Sequence, residues 1–199
     1  MAVIRLREWA VTPVAWLYRL TDQAKPVIDA DVAMWARRNR LPPGPVDRLL
    51  PTLLAGWSEF RNVFYYRLER DTLALRVLVK IARRIARPKG FLDISCDDIG
   101  PGLVIAHGFG SILNANRIGA NCWIHHQVTI GWNHTPDAGR PTLGDDVFIG
   151  AGAKIFGPIT IGDGARIGAN AVVVQDVPAG ATAVGVPAVI RLRASADGP

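Results

Sequence analysis

An aliphatic residue returns at six-residue steps through the second half of this chain, and this period constrains the fold more than any other feature. The positions are Ile99, Ile105, Ile118, Ile124, Ile130, Leu143, Ile149, Ile155, Ile161, Ile167 and Val173. A period of six fits neither a helix of 3.6 residues per turn nor an isolated hairpin. It is typical of a solenoid whose short strands stack so that the aliphatic side chains form one continuous core.

The six-residue count is interrupted twice. Ile105 and Ile118 lie 13 residues apart, and so do Ile130 and Leu143. The second gap contains a polar segment, residues 132–140. Because a polar excursion from a regular solenoid is typical of a functional loop, we expect this segment to contribute to a site.

The first half of the chain has a helical pattern. Residues 29–38, 46–70 and 72–86 place apolar side chains at spacings of three and four. Pro88 and Gly90 end this pattern. We therefore predict a helical N-terminal domain over residues 1–90, a solenoid over 91–190 and a C-terminal tail over 191–199.

The net charge of +6 is unevenly distributed. Residues 1–90 hold 17 Lys and Arg against 8 Asp and Glu, or +9, and the rest hold 6 against 9, or −3. A solvated helix face is the simplest interpretation, and no nucleic-acid motif accompanies the charge. The basic amphipathic segment 72–86 could make a peripheral membrane contact, although packing on the solenoid or on another subunit is the favoured interpretation.

The composition favours a cytoplasmic protein. No run approaches the roughly 20 apolar residues of a membrane span. Charges near the N-terminus oppose a secretion signal. The two cysteines, Cys96 and Cys122, provide no disulfide framework.

The histidines cluster near the interruptions of the repeat. They are His107, His125, His126 and His134. His107 follows Ile105 by two residues, and His126 follows Ile124 by two. Because the two isoleucines differ by one coil plus one inserted residue, we expect His107 and His126 to lie one above the other on the same edge.

Two chemistries could use this pair. A zinc site of the γ-carbonic-anhydrase kind needs three histidines, but adjacent His125 and His126 should point to opposite faces of a strand, so no metal is expected. General base catalysis is favoured, because a neutral imidazole can take the proton of an attacking hydroxyl. Asp93 is the carboxylate expected to orient His107.

Several motifs together resemble the serine acetyltransferase branch of the left-handed β-helix, or hexapeptide-repeat, acyltransferases. The similarity covers residues 91–191, about half of the chain. The motifs are Leu92-Asp93-Ile94, His107-Gly108, Trp123-Ile124-His125-His126-Gln127-Val128-Thr129-Ile130-Gly131, Ile149-Gly150-Ala151-Gly152-Ala153-Lys154-Ile155-Phe156-Gly157 and Gly185-Val186-Pro187-Ala188. The fold class implied is α+β, a helical domain followed by a left-handed parallel β-helix.

The resemblance also implies an assembly and a cofactor site. It implies trimers, or dimers of trimers, with acetyl-CoA as co-substrate in a groove between neighbouring coils. His107 matches the catalytic base and Asp93 its partner. The positions expected to contact acetyl-CoA are Gly131, Ala151, Ala169, Arg191 and Arg193.

The acceptor side departs from the serine acetyltransferase pattern. The family has an aspartate directly before the catalytic histidine, where this chain has Ala106. Its loop has an Arg-His pair before a proline, where this chain has Gly139-Arg140. The family's helical-domain aspartate corresponds to Asp31. His126, Arg140 and Asp31 are therefore the expected acceptor-binding residues.

The expected function is an acetyl-CoA-dependent O-acetyltransferase acting on a small hydroxyl compound. The departures favour a saccharide acceptor, as in exopolysaccharide biosynthesis. Serine O-acetyltransferase activity in cysteine biosynthesis is the first alternative. A non-catalytic assembly partner is the second, less favoured because the chain ends at Pro199 without the isoleucine-terminated tail by which serine acetyltransferases dock a partner.

Overall fold

The computed structural model describes residues 2–88, 90–132 and 139–192. It divides into two compact units. The helical unit contains residues 1–90 and the short segment 101–104, and the β-helix unit contains residues 91–100 and 105–199. The predicted domain boundaries, 1–90, 91–190 and 191–199, remain a prediction.

The helical unit has five α-helices among the described residues. They are α1 (Ala2–Ala15), α2 (Lys25–Arg38), α3 (Val46–Gly56), α4 (Ser58–Glu69) and α5 (Leu73–Ile85), with a 3-10 helix at Trp16–Leu20. The apolar pattern of residues 46–70 predicted one continuous helix, and the structure divides it at Trp57, whose backbone is extended. The Arg61 guanidinium donates to the carbonyl oxygens of Leu54 and Ala55. These bonds satisfy carbonyl groups that the end of α3 leaves without a helical partner.

The centre of the helical unit contains a buried ion pair. Arg67 on α4 donates from Nε to an oxygen of Asp31 on α2 at 2.9 Å. The other Asp31 oxygen accepts from the backbone N–H groups of Gly102 at 2.7 Å and Leu103 at 3.1 Å. The Trp35 indole N–H donates to the Leu103 carbonyl oxygen. Segment 101–104 is thereby attached to the helices.

The β-helix unit consists of short strands in three sheets. The strands are β1 (Leu92–Ile94), β2 (Asp98–Ile99), β3 (Val104–Ile105), β4 (Ser111–Leu113), β5 (Arg117–Ile118), β6 (Trp123–Ile124), β7 (Thr129–Gly131), β8 (Thr142–Leu143), β9 (Phe148–Ile149), β10 (Lys154–Phe156), β11 (Thr160–Ile161), β12 (Arg166–Ile167), β13 (Val172–Val173), β14 (Thr182–Val184) and β15 (Val189–Arg191). Sheet A has the order β1-β4-β7-β10-β13, sheet B β11-β8-β5-β2, and sheet C β15-β14-β12-β9-β6-β3. Neighbouring strands are parallel except β14 and β15.

The aliphatic period forms the interior of this unit. All eleven aliphatic residues that define the six-residue count are buried. On sheet A, Leu113 pairs with Ile130 and Ile130 with Ile155. The stacked side chains leave water together along the whole unit, so the core is continuous as expected for a solenoid. The predicted fold class is confirmed.

The first interruption is a longer corner. Ile105 and Leu113 are eight residues apart, whereas their partners in the next coil, Ile124 and Ile130, are six apart. The following corner compensates, because Leu113 precedes Ile118 by only five residues. Relative to the regular spacing of six, the corner that contains His107 has two extra residues and the next corner has one residue fewer. The net difference is the single extra residue counted in the sequence.

Candidate functional site

His107 and His126 form the centre of the candidate site. The Ala106 N–H donates to the Ile124 carbonyl oxygen, which puts the two coils in the predicted register. The imidazole centroids are 6.1 Å apart with the ring planes at 70°. The predicted stacking of the two histidines on one edge is therefore observed.

The two imidazoles have different surroundings. His107 is exposed at its corner and has a left-handed backbone with φ +62°. His126 is half-buried, and among the described residues its buried Nδ1 has no hydrogen-bond partner. His107 can therefore meet a substrate hydroxyl, while the Nδ1 atom of His126 is buried and, within the described ranges, unpartnered beside it.

His125 faces a different cluster. Its ring lies 5.3 Å from the Phe148 ring and 6.3 Å from the Trp123 ring, measured between centroids. The Arg166 guanidinium lies over the Phe148 ring, 4.5 Å from its centroid. The His125 and His126 rings nevertheless lie 6.4 Å apart between centroids, so the orientation of the two side chains towards opposite faces stays a prediction.

The corner after sheet C carries four of the expected site residues in one column. Ile124 pairs with Ile149, and Ile149 pairs with Ile167. His126, Ala151 and Ala169 each follow one of these isoleucines by two residues, and His107 follows Ile105 in the same way. The column therefore consists of His107, His126, Ala151 and Ala169 in successive coils.

Ala151 and Ala169 leave backbone donors open in this column. Among the described residues, neither N–H group has a hydrogen-bond acceptor, whereas the preceding Gly150 and Gly168 N–H groups donate to the next coil. Ala151 is half-buried and Ala169 is exposed. Carbonyl oxygens of a ligand lying along the corner could accept hydrogen bonds from these two N–H groups, because the small alanine side chains do not cover the N–H groups.

Asp93 lies on the outer face of sheet A, where its carboxylate accepts a hydrogen bond from Ser95 Oγ at 2.7 Å. It lines a cleft of about 390 Å³ together with Phe91, Leu92, Gly110, Ser111 and Ile112. Within the described part of the chain, Asp93 makes no hydrogen bond to His107. Its orienting role stays a prediction.

Arg140 is fixed by two asparagines that the sequence did not single out. Its Nη1 donates to Asn114 Oδ1 at 3.3 Å, and its carbonyl oxygen accepts from Asn116 Nδ2 at 2.8 Å. Asn114 lies beside Gly131 in the sheet register, because Leu113 pairs with Ile130. Gly131 itself is buried, but a Cβ added there would meet none of the described atoms within 4 Å. The spacing of Asn114 from the buried Leu113 could have identified it as outward-facing.

Asp31 is almost completely buried in the helical unit. Burial raises the pKa of its carboxyl group, while Arg67 and the Gly102 and Leu103 N–H groups act in the opposite direction. These partners occupy both carboxylate oxygens. An acceptor would have to displace them, so we do not include Asp31 in the proposed site.

The expected phosphate contacts lie towards the other end of the unit. Arg191 is exposed on β15, which pairs with β14 at the edge of sheet C opposite β3. At about 4.8 Å per strand, β15 is roughly 24 Å from β3. Arg193 and His134 lie outside the described residues.

Thiol and metal chemistry receive no support from the described groups. Burial raises the pKa of the Cys96 thiol and raises that of Cys122 to about 12, so both stay protonated at neutral pH. In residues 2–88, 90–132 and 139–192, no group of three or more His, Cys, Asp or Glu side chains could hold a metal ion.

None of the helices in these described ranges is long and apolar enough to cross a membrane.

Stacked six-residue repeats with a histidine edge define a hexapeptide-repeat protein of the parallel β-helix class. Residues 140–175 match the family described as bacterial transferase hexapeptide (six repeats). A solved serine acetyltransferase of Neisseria gonorrhoeae, in complex with serine, superposes with a TM-score of 0.60 at 32% sequence identity. The superposition covers 84% of this chain and 68% of that chain. The chain belongs to the serine acetyltransferase-like family of hexapeptide-repeat acyltransferases.

Curated relatives agree with this family. A serine acetyltransferase of Helicobacter pylori strain J99 is 50% identical over 92 residues, which are 45% of this chain and 54% of that protein. One from Mycobacterium tuberculosis is 46% identical over 98 residues, or 45% of this chain and 43% of that protein. The chain thus spans about half the length of the curated relatives that it matches.

The expectation of a saccharide acceptor is wrong. The relatives, at 42–50% identity, are named serine acetyltransferases, and the structural neighbour was solved with serine. The sequence interpretation relied on Ala106 and Gly139-Arg140, a few positions within a much longer region of similarity. Their substitution changes individual contacts and does not by itself identify another acceptor.

Proposed function

We propose that this chain is a serine O-acetyltransferase that uses acetyl-CoA as co-substrate. The observation that carries the proposal is the column of His107, His126, Ala151 and Ala169, which combines an exposed base with open backbone donors. The similarity to serine acetyltransferases supports the choice of acceptor. The proposal covers the activity, the acceptor and the role of each residue.

His107 acts as the general base. Its imidazole accepts the proton of the serine hydroxyl while the hydroxyl oxygen bonds to the thioester carbonyl carbon. The carbon–sulfur bond then breaks, and the imidazolium returns the proton to the departing sulfur. The products are the O-acetyl ester and the free thiol, and no side chain of the protein is acylated.

Ala151 and Ala169 bind the co-substrate through their backbone N–H groups. Acetyl-CoA contains amide carbonyl oxygens along its extended arm, and these acceptors suit open donors spaced along a corner. Arg191 binds phosphate groups at the far end of the same unit. Gly131 has no side chain to exclude the acyl group, and a Cβ there would meet no described atom within 4 Å.

Arg140 binds the carboxylate of the acceptor serine. Its guanidinium is already held by Asn114, which reduces the conformational entropy lost when a ligand binds. His126 lines the pocket beside His107. Asp93 is exposed, so its carboxylate can turn from Ser95 towards His107, and such catalytic hydrogen bonds often form only in the substrate complex.

The acceptor assignment is tested by following thiol release from acetyl-CoA with L-serine, L-threonine and L-alanine. L-serine should be the preferred acceptor, and L-alanine, which lacks the hydroxyl group, should give only background release. Mass spectrometry should detect the O-acetyl ester of serine. Thiol release that L-serine does not raise above the alanine background would overturn the proposal.

A homotrimer, or a dimer of trimers, is the proposed assembly. The proposal rests on the family resemblance, which implies trimers or dimers of trimers. Sedimentation velocity on the full chain measures the mass directly. A monomer at micromolar concentration would contradict it.

A further inference from the structure

Helix α5 exposes a row of aliphatic side chains to solvent. Leu73, Val77, Ile81 and Ile85, the apolar stripe, have exposed fractions of 76%, 52%, 58% and 53%. Residues four apart lie on the same face of a helix, so the four side chains form one ridge. Isolated exposed aliphatic residues are common, but a contiguous row is typical of an interaction surface.

The apolar stripe is distinct from the face that stabilises the helical unit. Leu75, Val79 and Ala82 are buried on the opposite side of α5, and the Tyr65 hydroxyl on α4 donates to the carbonyl oxygen of Ala86. The sequence favoured packing of this amphipathic helix on the solenoid or on another subunit over a membrane contact. The structure shows that packing within the described chain uses only one side and leaves the stripe uncovered.

Cationic side chains border the stripe. Arg76, Lys80 and Arg84 are exposed, and in the described part of the chain no carboxylate forms an ion pair with any of them. Arg83 is paired with Glu69. The helix itself contains no Asp or Glu. The surface therefore combines an apolar ridge with unneutralised positive charge.

We propose that the apolar stripe and its cationic border bind the surface of a membrane containing anionic lipids. Aliphatic side chains enter the boundary of the acyl chains while Arg and Lys contact lipid phosphates, as in interfacial amphipathic helices. A second copy placed face to face would bring the two sets of unpaired cations together. That repulsion favours an anionic surface over self-association through this face.

The test measures sedimentation of the full chain with phosphatidylcholine vesicles, with or without phosphatidylglycerol. We expect binding to the anionic vesicles that weakens as salt is raised, because counterions screen the attraction. The Val77→Gln/Ile81→Gln variant should lower the affinity about tenfold. Lys80→Gln/Arg84→Gln should lower it by a similar factor, about tenfold, while keeping the apolar ridge.

Val174→Gln provides a matched control. Val174 is a valine with an exposed fraction of 57% on the β-helix unit, close to that of Val77. It should leave vesicle binding unchanged. Circular dichroism should show the same helical signal for all variants, and Lys80→Gln/Arg84→Gln remains informative if the stripe variant unfolds.

Three results would overturn the proposal. The first is no sedimentation of the full chain with anionic vesicles. The second is wild-type binding by both surface variants. The third is a change in subunit number caused by Val77→Gln/Ile81→Gln without vesicle binding by the wild type, which would show that a second copy covers the stripe.

Discussion

The two units differ in how they use buried polar groups. Among the described residues, the helical unit buries Thr21, Asp31, Glu59, Asn62 and Arg67, whereas the β-helix unit buries one polar residue, Ser111. The coils repeat one aliphatic pattern and keep their polar groups outside, while the helices depend on particular pairs. The repeat thus forms a uniform support for reactive groups at its corners, and the helical unit depends more on individual contacts.

The largest expected effect concerns the corner of the β-helix. His107→Asn should lower kcat/KM for serine acetylation about 10²–10⁴-fold, because the general base is removed. Asparagine tolerates the left-handed backbone of this position better than alanine does, so the coil should remain folded. Thiol release from acetyl-CoA measures the effect.

Gln127→Asn is the matched control for this variant. Gln127 also has a left-handed backbone, with φ +58°, and is exposed. Its activity should remain at the wild-type level. Equal activity of His107→Asn and Gln127→Asn would exclude His107 as the base.

The next largest effect should appear in the helical unit. Asp31→Asn leaves the buried Arg67 guanidinium without its counter-ion, and breaking a buried pair in this way costs about 3–5 kcal/mol of unfolding free energy. Denaturant unfolding followed by circular dichroism measures the loss. Asp47→Asn, at a position 65% exposed, is the control and should change the stability little. Similar losses for both variants would show that the buried pair stabilises the helical unit no more than an exposed carboxylate does.

Glycine-to-alanine substitutions compare how much space the backbone leaves for a methyl group in each of the two units. A Cβ at Gly150 would lie 2.6 Å from the Ala169 nitrogen, so Gly150→Ala should force neighbouring coils apart and cost about 1–3 kcal/mol. Gly56→Ala in the helical unit meets nothing within 4 Å and should be neutral or slightly stabilising. Thermal unfolding of both variants measures this difference, and a stable Gly150→Ala would show that the coils can separate.

The smallest effect is expected on the outer face of the coils. Arg117 Nη1 lies 2.9 Å from Asp98 Oδ2, but both side chains are about half exposed. Solvent screens such a pair, so Arg117→Gln should change the unfolding free energy by about 0–1 kcal/mol. Denaturant titration is the measurement. A loss as large as that of Asp31→Asn would mean that surface pairs, too, stabilise the β-helix unit.

The predictable part of the site follows from register. The spacing of His107 and His126 from their isoleucines was sufficient to place them together, because every coil repeats the same geometry. The corner itself was less predictable. A count between Ile105 and Ile118 gives only the sum of two changes, and the structure shows that two residues are added before Leu113 and one is removed after it.

Contacts between side chains distant in sequence could not be predicted. Asn114 holds Arg140 from 26 residues away, and the Asp31–Arg67 pair spans 36 residues. Neither follows from a local period. The division of α5 into a packed face and an exposed stripe also depends on what the other helices cover, because both faces are apolar in the sequence.

The sequence by itself determined the repeating core, the class of fold and the edge on which two histidines meet. Each of these depends on the six-residue period, which can be recognised in a short stretch of sequence and is repeated in every coil. Only the tertiary structure decided that Asp31 is buried in the helical unit, that Ala151 and Ala169 leave N–H groups open, and that the apolar stripe is uncovered. Burial and hydrogen bonding depend on which segments come together in space, and this chain brings them together from distant positions.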